Sequence, residues 1–343
     1  MAEKASVLLI GSGGVGTIAA VNLERGGLAS VTAVLRSNYN IVKESGFDIQ
    51  SCDHGHLEGW RPSKIINRIP DVAKENLRPF DYIICTTKNL PDIPPTVTDL
   101  IRPAVTPGHT AVVLIQNGLN IEKPLLAAFP QNVILSGVSL IGSKEPTPAK
   151  ILHEFEDQLL VGAFNNPQLD SEHQQSVARK FVEIYSAGGK TKCEYQAKVG
   201  WYRWRKLVYN ACLNPICAIT GLDTGRIRLA DGAIAGLLYP AMEEIRAAAK
   251  AAGHVLPDDI AHQMLTIEPV ELYLSPSMLV DSRKGNFIEV ETILGEPLRE
   301  GRALGVPMPT LSVLYELGRA IQWGRKESRG MVSIPPKQVP GDV

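Results

Sequence analysis

Three polar side chains recur at four-residue spacing in an apolar segment, and they are Lys206, Asn210 and Asn214. The segment reads W-R-K-L-V-Y-N-A-C-L-N-P, and on one continuous α-helix the three residues would share a stripe about 80° wide. Burying an amide or ammonium group without a partner costs several kcal/mol. The stripe therefore predicts hydrogen bonds either to a neighbouring element of the protein or to a polar ligand.

Two further polar residues follow in the same half of the chain. Ser277 begins a predicted helix at residues 277–283, where its simplest role would be a helix cap. Glu289 falls in a predicted helix at residues 287–304 and shares a face with Glu296, so solvent exposure is its simplest interpretation. Nothing in the spacing alone connects Glu289 with the polar stripe.

A glycine-rich turn lies between an apolar run at residues 7–10 and a helix-compatible stretch at residues 17–24. The turn consists of Gly11, Ser12, Gly13, Gly14, Val15 and Gly16. In a dinucleotide-binding unit the first glycine permits a tight turn, the second lets pyrophosphate approach the backbone, and the third lets the helix pack on the strand. We therefore predict pyrophosphate binding at the helix N-terminus. The alternative is a glycine turn that binds no nucleotide.

The end of the second predicted strand, residues 31–35, indicates which dinucleotide the turn would bind. An acidic residue usually binds the adenine ribose of NAD at this position, but here Arg36 follows the strand, with Ser37 next. A guanidinium can bind a ribose 2′-phosphate with two hydrogen bonds, whereas a carboxylate would repel it. The sequence therefore favours NADPH. A solvated arginine with relaxed cofactor choice is the alternative.

Further parallel strands are predicted at residues 82–86, 110–115 and 133–138. Lys88 follows the first of these strands and Asn117 follows the second. Open α/β sheets bind ligands at the C-terminal edge of their strands, so these two side chains could flank the nicotinamide. Alternating apolar residues at 151–161 predict an antiparallel addition to the sheet, with His153 as an ordinary strand residue.

The second half of the chain has helical periodicity, without an internal repeat or a low-complexity linker. Helices are predicted at residues 198–219, 230–252, 258–266, 277–283, 287–304 and 310–325. The predicted fold class is α/β, with a Rossmann-type parallel sheet domain at residues 1–195 followed by an all-α domain at residues 196–330. Residues 331–343 contain three prolines and are expected to form a loose tail.

Composition limits the classes of function. The 343 residues include 35 basic and 36 acidic side chains, and a net charge of -1 gives no general reason to bind nucleic acid or an anionic membrane. The five cysteines are scattered without a C-x-x-C pair, which fits free thiols and shows no convincing metal-ligand set. No signal peptide or membrane span is predicted, so a cytoplasmic location is expected.

Together these motifs resemble the ketopantoate reductase (2-dehydropantoate 2-reductase) family from residue 7 to about residue 323. The resemblance is carried by the glycine turn, Arg36, Thr87-Lys88, Gln116-Asn117-Gly118, the polar helix segment at 204–215, S-M-L-V-D from Ser277, Glu289 and L-G-V-P from Leu304. The helix segment is the most specific of these motifs. The resemblance implies a Rossmann domain and a helical domain with the active site in the cleft between them, and NADPH-dependent reduction of a 2-oxo acid to a 2-hydroxy acid.

The resemblance also implies roles for the polar stripe. Lys206 matches the catalytic lysine of the family, and Asn210 and Asn214 match its substrate-binding asparagines. Glu289 matches the acidic residue that supports the lysine and the substrate hydroxyls. Hydride arriving at a ketone carbon leaves negative charge on the oxygen, which an ammonium group can stabilise and protonate. A nearby carboxylate would favour the charged form of that lysine.

Among the other positions, three match the family and two depart from it. Ser277 matches a serine that contacts the substrate, and Lys88 and Asn117 match residues beside the nicotinamide ribose. Thr224 stands where the family often has another substrate-facing asparagine, and Leu294 departs from the usual I-N-G. Thr224 lies in the region expected to recognise the pantoate hydroxyl, so the substrate could be a different branched 2-oxo acid. Leu294 more readily alters packing.

Three functions follow from these patterns, and reduction of ketopantoate is the favoured one. The second is a related NADPH-dependent ketone reductase that acts on a specialised metabolite. The third is a non-catalytic NADP-binding sensor, which the polar stripe disfavours because a sensor has no use for it. The expected partner is a small-molecule 2-oxo acid. A homodimer is possible, although the sequence shows no pattern that marks a dimer interface.

Overall fold

A computed structural model describes residues 3–336 of the chain. The chain divides into two compact units, Met1–Arg203 and Trp204–Val343. The sequence places this boundary near Tyr195. Of the predicted tail at residues 331–343, positions 331–336 form neither helix nor strand, and the others lie outside the described residues. Among residues 3–336, no helix has the length and the apolar content needed to cross a membrane.

Strands of the first unit form two sheets. In chain order the strands are β1 (Ala5–Ile10), β2 (Ala29–Val34), β3 (Phe47–Ser51), β4 (Gly55–Trp60), β5 (Lys64–Ile66), β6 (Tyr82–Cys85), β7 (Ala111–Leu114), β8 (Ile134–Ser139), β9 (Gly142–Thr147), β10 (Lys150–Phe155), β11 (Gln158–Phe164) and β12 (Lys192–Tyr195). The main sheet has the order β12-β11-β8-β7-β6-β1-β2-β5, and the smaller sheet has the order β4-β3-β10-β9. All pairs of the main sheet are parallel except β11 with β8.

The central strands of the main sheet, such as β6, β7 and β8, are buried on both faces, which explains why they read as nearly continuous apolar runs. Successive residues of β1 enter different core clusters, with Val7 and Leu9 in one and Leu8 and Ile10 in the other. The first cluster also holds residues of the smaller sheet, which packs against the first helix of the chain. The N-terminal prediction of a Rossmann-type domain is confirmed.

Helices flank the main sheet and form the whole of the second unit. The helices are α1 (Gly14–Arg25), α2 (Tyr39–Ser45), α3 (Val97–Ile101), α4 (Lys123–Ala128), α5 (Ser171–Ser186), α6 (Val199–Asn210), α7 (Leu213–Thr220), α8 (Thr224–Leu229), α9 (Tyr239–Ala251), α10 (Ile260–Leu265), α11 (Ser277–Arg283), α12 (Glu296–Ala303) and α13 (Pro309–Ser328). Single π-helical turns, Ile234–Leu238 and Glu291–Gly295, lead into α9 and α12. Within the second unit, α7 packs against α11 and α13, and α9 packs against α10, α12 and α13.

The structure corrects two details of the predicted sheet. The alternating segment at residues 151–161 contributes to both sheets: β11 is the predicted antiparallel addition, whereas β10 joins the smaller sheet. The strands β3, β4, β5 and β9 were not predicted. Each of them mixes polar with apolar residues and is partly exposed, so no continuous apolar run marks them.

Candidate functional site

The glycine turn joins β1 to α1 through close backbone contacts. Gly11 has a φ of +104°, and a Cβ added there would lie 2.6 Å from the backbone nitrogen of Thr87. A Cβ on Gly16 would lie 1.8 Å from the carbonyl oxygen of Gly11, and one on Gly14 would lie 2.5 Å from the backbone nitrogen of Lys144 in β9. A side chain at any of these three positions would therefore force the backbone apart.

The middle of the turn, at Gly13, has space where the other glycines have close backbone contacts. An added Cβ on Gly13 would meet nothing nearer than Glu145 Oε2 at 4.0 Å, although Gly13 is the N-cap residue of α1. Beside it, Ser12 Oγ is buried and has no hydrogen-bond partner within the described part of the chain. Val15 is partly buried and packs on the core below the turn. Open space at a helix N-terminus beside an unsatisfied hydroxyl fits a site that a pyrophosphate approaches.

Arg36 lies just beyond the end of β2, and it is exposed. Two residues later, Asn38 Nδ2 donates to the carbonyl oxygen of Ser12 at 3.2 Å and to Glu145 Oε1 at 3.1 Å. These bonds fix the end of β2 against the glycine turn. The exposed guanidinium is therefore attached to the same edge of the sheet as the turn.

The predicted nicotinamide-flanking residues lie at this edge as well. Strands β1, β6 and β7 end in register at Ile10, Cys85 and Leu114. Lys88 follows β6 and is exposed, whereas Asn117 follows β7 and is half-buried. The structure thus brings both residues to the C-terminal edge that carries the glycine turn, where open α/β sheets bind their ligands.

Side chains bridge the neighbouring strand ends at this edge. The Thr86 hydroxyl donates to the carbonyl oxygen of Gly11. Gln116 Nε2 donates to the carbonyl oxygen of Thr87 at 2.6 Å and to its hydroxyl at 3.0 Å. The loops after β1, β6 and β7 therefore form one hydrogen-bonded structure.

A buried arginine, not predicted from the sequence, anchors the loop that carries Asn117. Arg203 is 5% exposed, and its Nε lies 2.7 Å from Ser136 Oγ and 2.8 Å from Glu122 Oε1. Its Nη1 donates to the carbonyl oxygens of Gln116 at 3.1 Å and Gly118 at 3.0 Å. The carbonyl groups on both sides of Asn117 are thus held by one guanidinium, whose charge Glu122 balances.

Arg203 stands one helical turn before Lys206 on α6. The position could have been noticed in the sequence, because the residues four before and four after it, Val199 and Leu207, are apolar and buried. A charged residue in such a row needs a buried partner.

The predicted continuous helix at residues 198–219 is wrong. It is interrupted at Ala211 and Cys212, between α6 and α7. Pro215 explains the break, because a proline ring clashes with the carbonyl group four residues earlier, here that of Ala211. Lys206 and Asn210 therefore share α6, whereas Asn214 lies on α7, and the single stripe of three residues does not form on one helix.

The three residues of the predicted stripe differ in burial. Lys206 is half-buried, Asn210 is 9% exposed and Asn214 is 3% exposed. Asn214 Oδ1 is buried and has no hydrogen-bond partner among residues 3–336. A buried carbonyl oxygen of this kind needs a donor, and a bound ligand can supply one.

Glu289 is buried, with 4% of its surface exposed, so its interpretation as a solvent-exposed residue is wrong. The predicted helix at residues 287–304 begins at Val290, immediately after it. The carbonyl oxygen of Glu289 accepts a hydrogen bond from the N–H of Ile293 at 3.1 Å, at the start of the π-helical turn. Glu289 therefore lies buried immediately before the start of this helix.

Ser277 is exposed and is the first residue of α11. The N-cap residue is Pro276 and no side chain caps the helix, so the capping role expected for Ser277 is wrong. Since α11 packs against α7, Ser277 and Asn214 lie on neighbouring helices.

Thr224, which departs from the family pattern, is fully buried at the start of α8. Its hydroxyl donates to Glu268 Oε1 at 2.7 Å, and the Tyr209 hydroxyl donates to the same oxygen at 3.0 Å. Arg228 Nη2 lies 3.7 Å from that oxygen, and burial together with Glu268 raises the pKa of the Tyr209 phenol. The Thr224 hydroxyl is thus engaged by the protein itself.

Comparisons with known proteins agree with this architecture. The family model described as "Ketopantoate reductase PanE/ApbA" matches residues 7–166, and "Ketopantoate reductase PanE/ApbA C terminal" matches residues 198–322. A solved 2-dehydropantoate 2-reductase from Methylococcus capsulatus is 31% identical, with a TM-score of 0.77 over 93% of this chain and 97% of its own. The chain belongs to the ketopantoate reductase family.

Two other relatives show how specifically the comparisons define the activity. The Saccharomyces cerevisiae protein YDL144C, whose function is uncharacterised, is 37% identical over 96% of this chain and 97% of its own length. A D-mandelate dehydrogenase solved with NADH and anilino(oxo)acetate shares the fold, with a TM-score of 0.79 at 17% identity over 94% of this chain and 99% of its own. Membership of the ketopantoate reductase family makes this chain an oxidoreductase that uses a nicotinamide cofactor on a small oxo acid.

The buried ion pair yields a prediction about stability. Arg203→Met should lower the free energy of unfolding by about 3–5 kcal/mol, because it leaves the Glu122 carboxylate buried without its counter-charge. The double variant Arg203→Met/Glu122→Gln should recover part of this loss, since no unpaired charge remains. Denaturant unfolding followed by circular dichroism measures both variants.

Arg205→Met is the matched control, since it removes an arginine that is only half-buried on the same helix. Its free energy of unfolding should change by less than about 1 kcal/mol. An Arg203→Met protein as stable as this control would contradict the anchoring role of Arg203.

Proposed function

We propose that this chain reduces 2-dehydropantoate (ketopantoate) to pantoate with NADPH. The observation that carries the proposal is Asn214 Oδ1, a buried acceptor on the helix that follows Lys206 and Asn210, which has no hydrogen-bond partner among the described residues. The carboxylate and the 2-oxo group of an oxo acid only accept hydrogen bonds, so the missing donor has to be another group. Ketopantoate carries a hydroxyl that can donate. This activity would belong to pantothenate biosynthesis in the cytoplasm.

Residues of the first unit would hold the cofactor. The N-terminus of α1, with Gly13 and Ser12, would bind the pyrophosphate, and Lys88 and Asn117 would lie beside the nicotinamide ribose. Bound NADPH supplies the hydride that reduces the 2-oxo carbon. The firm attachment of the Asn117 loop by Arg203 supports a positioning role for that loop.

Residues of the second unit would act on the substrate. Lys206 would stabilise the negative charge on the former carbonyl oxygen and donate a proton to it. Asn210, Asn214 and Ser277 would orient the substrate with uncharged groups that do not compete for that proton. The buried carboxylate of Glu289 would favour the ammonium form of Lys206 by electrostatic attraction.

A second candidate is a related reductase with a different 2-oxo acid as its substrate. The contacts of Thr224 favour this candidate, because its hydroxyl already donates to Glu268 and cannot also donate to a substrate. At the other departure from the family, Leu294 is 1% exposed, which fits a role in packing. The two candidates share every catalytic residue and differ only in the substrate.

Loss of Lys206 provides the direct test of the mechanism. We expect Lys206→Ala to lower kcat with ketopantoate by about 10²–10⁴-fold, the usual contribution of a general acid. Glu289→Gln should lower kcat as well, while Arg205→Ala, on the same helix, should retain it. Steady-state NADPH oxidation measures all three, and unchanged turnover of Lys206→Ala would show that the mechanism is wrong.

The substrate is tested with a panel of 2-oxo acids under the same conditions. Reduction of ketopantoate with the highest kcat/KM supports the proposal. If the protein reduces another 2-oxo acid but not ketopantoate, the result supports the reaction class and rejects ketopantoate as the substrate. Tight NADPH binding without turnover of any oxo acid would instead indicate a sensor.

Cofactor choice is tested at Arg36. Arg36→Ala should raise KM for NADPH by about 10–100-fold, since a charge-assisted hydrogen bond to phosphate contributes about 1.5–3 kcal/mol. KM for NADH should change little, because NADH lacks the 2′-phosphate. Initial rates with both cofactors measure the ratio, and an equal change for the two would remove Arg36 from phosphate recognition.

A further inference from the structure

A hairpin turn of the smaller sheet brings together three side chains that could bind a metal ion. Cys52 and Asp53 lie in the turn between β3 and β4, and His153 lies in β10. Strand β10 runs parallel to β3 with His153 opposite Ser51, and the N–H of Cys52 donates to the carbonyl oxygen of His153 at 3.0 Å. Residues about 100 positions apart in the chain thus become neighbours.

One possible ligand atom from each of the three residues lies within 4.8 Å of the other two. Cys52 Sγ lies 3.8 Å from His153 Nε2 and 3.7 Å from Asp53 Oδ1, and His153 Nε2 lies 3.6 Å from Asp53 Oδ2. Tetrahedral zinc, with bonds of about 2.3 Å to sulfur and 2.0–2.2 Å to nitrogen or oxygen, holds its donor atoms roughly 3.3–3.6 Å apart. Rotation of the Cys52 and Asp53 side chains, which are not fully buried, would bring the three ligand atoms to this spacing.

Hydrogen bonds hold two of the three side chains in place. Ser51 Oγ lies 2.8 Å from His153 Nδ1, which directs Nε2 of the buried ring towards Cys52 and Asp53. Ser51 Oγ also accepts hydrogen bonds from the N–H groups of Asp53 at 3.2 Å and His54 at 3.0 Å, which fix the hydroxyl in the turn. The Asp53 carboxylate accepts a hydrogen bond from the N–H of Asp157 at 3.0 Å. Such outer contacts are typical of metal-binding histidines and carboxylates.

The surroundings favour a cation with an open coordination position. Cys52 is exposed while His153 is buried, so the group of three residues opens towards solvent on the side of the sulfur. Glu156 adds negative charge near the thiol, although Lys192 pairs with it.

We propose that Cys52, Asp53 and His153 bind Zn²⁺, with a water molecule as the fourth ligand. Thiolate, imidazole and carboxylate together suit zinc better than the hard cations magnesium and calcium, which prefer oxygen ligands alone. On binding, the Cys52 thiol loses its proton to solvent and a sulfur–zinc bond forms, without any change of oxidation state. The ion would fasten the β3–β4 turn to β10. The site is separate from the proposed reaction and does not depend on it.

The test uses full-length protein without a purification tag, titrated with ZnCl₂ in a calorimeter and with CoCl₂ in a spectrophotometer. We expect one Zn²⁺ per chain, release of about one proton per ion at neutral pH, and a thiolate-to-cobalt charge-transfer band in the near ultraviolet. Cys52→Ser should abolish that band and weaken zinc binding by at least about tenfold. Because Cys52 is exposed, this substitution should leave the fold intact, which circular dichroism checks.

Two further variants make the result specific. Asp53→Asn should weaken zinc binding while the cobalt band persists. His56→Gln, which removes an exposed histidine from the adjacent strand β4, should bind zinc like the wild type. Failure of the wild type to bind zinc at micromolar concentrations, or equal zinc affinity in the wild type and Cys52→Ser, would overturn the proposal.

Discussion

The buried pair of Arg203 and Glu122 is the interaction on which the arrangement of the candidate site depends. A guanidinium in an apolar interior is tolerated only when its donors are satisfied and its charge is balanced. Here the carbonyl oxygens after β7, the Ser136 hydroxyl and the Glu122 carboxylate meet both conditions. Because the donors of a guanidinium are fixed in one plane, α6 can meet these partners in few orientations. Within the first unit, the start of α6 and the loop that carries Asn117 are therefore attached at one fixed point.

The glycine turn imposes a second constraint, which is steric. Gly16 and Gly11 approach so closely that no side chain fits between α1 and the end of β1, and Thr86 closes the same contact from β6. Gly13 differs, because no protein atom takes the space that a Cβ would enter. Gly11, Gly14 and Gly16 are thus required by the fold, while Gly13, the fourth glycine of the turn, keeps a helix N-terminus accessible. That difference separates a structural turn from one that can receive a phosphate.

The sequence predicted best those features that depend on local pattern. Apolar runs located β1, β2, β6, β7 and β8 of the main sheet, and glycine spacing located the turn before α1, because both follow from interactions between near neighbours in the chain. The break between α6 and α7 could also have been predicted, since Pro215 excludes an unbroken helix. The burial of Glu289 could not, because an amphipathic pattern assigns a carboxylate to the solvent face. The meeting of His153 with Cys52 depends on the parallel pairing of β10 with β3, which no local pattern reveals.

The consequence of Thr224 for substrate recognition depends both on the sequence at that position and on a contact with a residue distant in the chain. The replacement of a family asparagine by Thr224 can be read in the sequence, but its consequence depends on Glu268, to which Thr224 and Tyr209 both donate. An asparagine at this position would offer two amide N–H donors and an acceptor, whereas the single hydroxyl proton of threonine is already used. In the proposed reaction, recognition of the far end of the substrate would therefore come from other groups, and the unpartnered Asn214 Oδ1 has the acceptor capacity to contribute. A ligand that satisfies this acceptor needs a donor of its own, which favours a hydroxylated 2-oxo acid over one with a purely apolar chain.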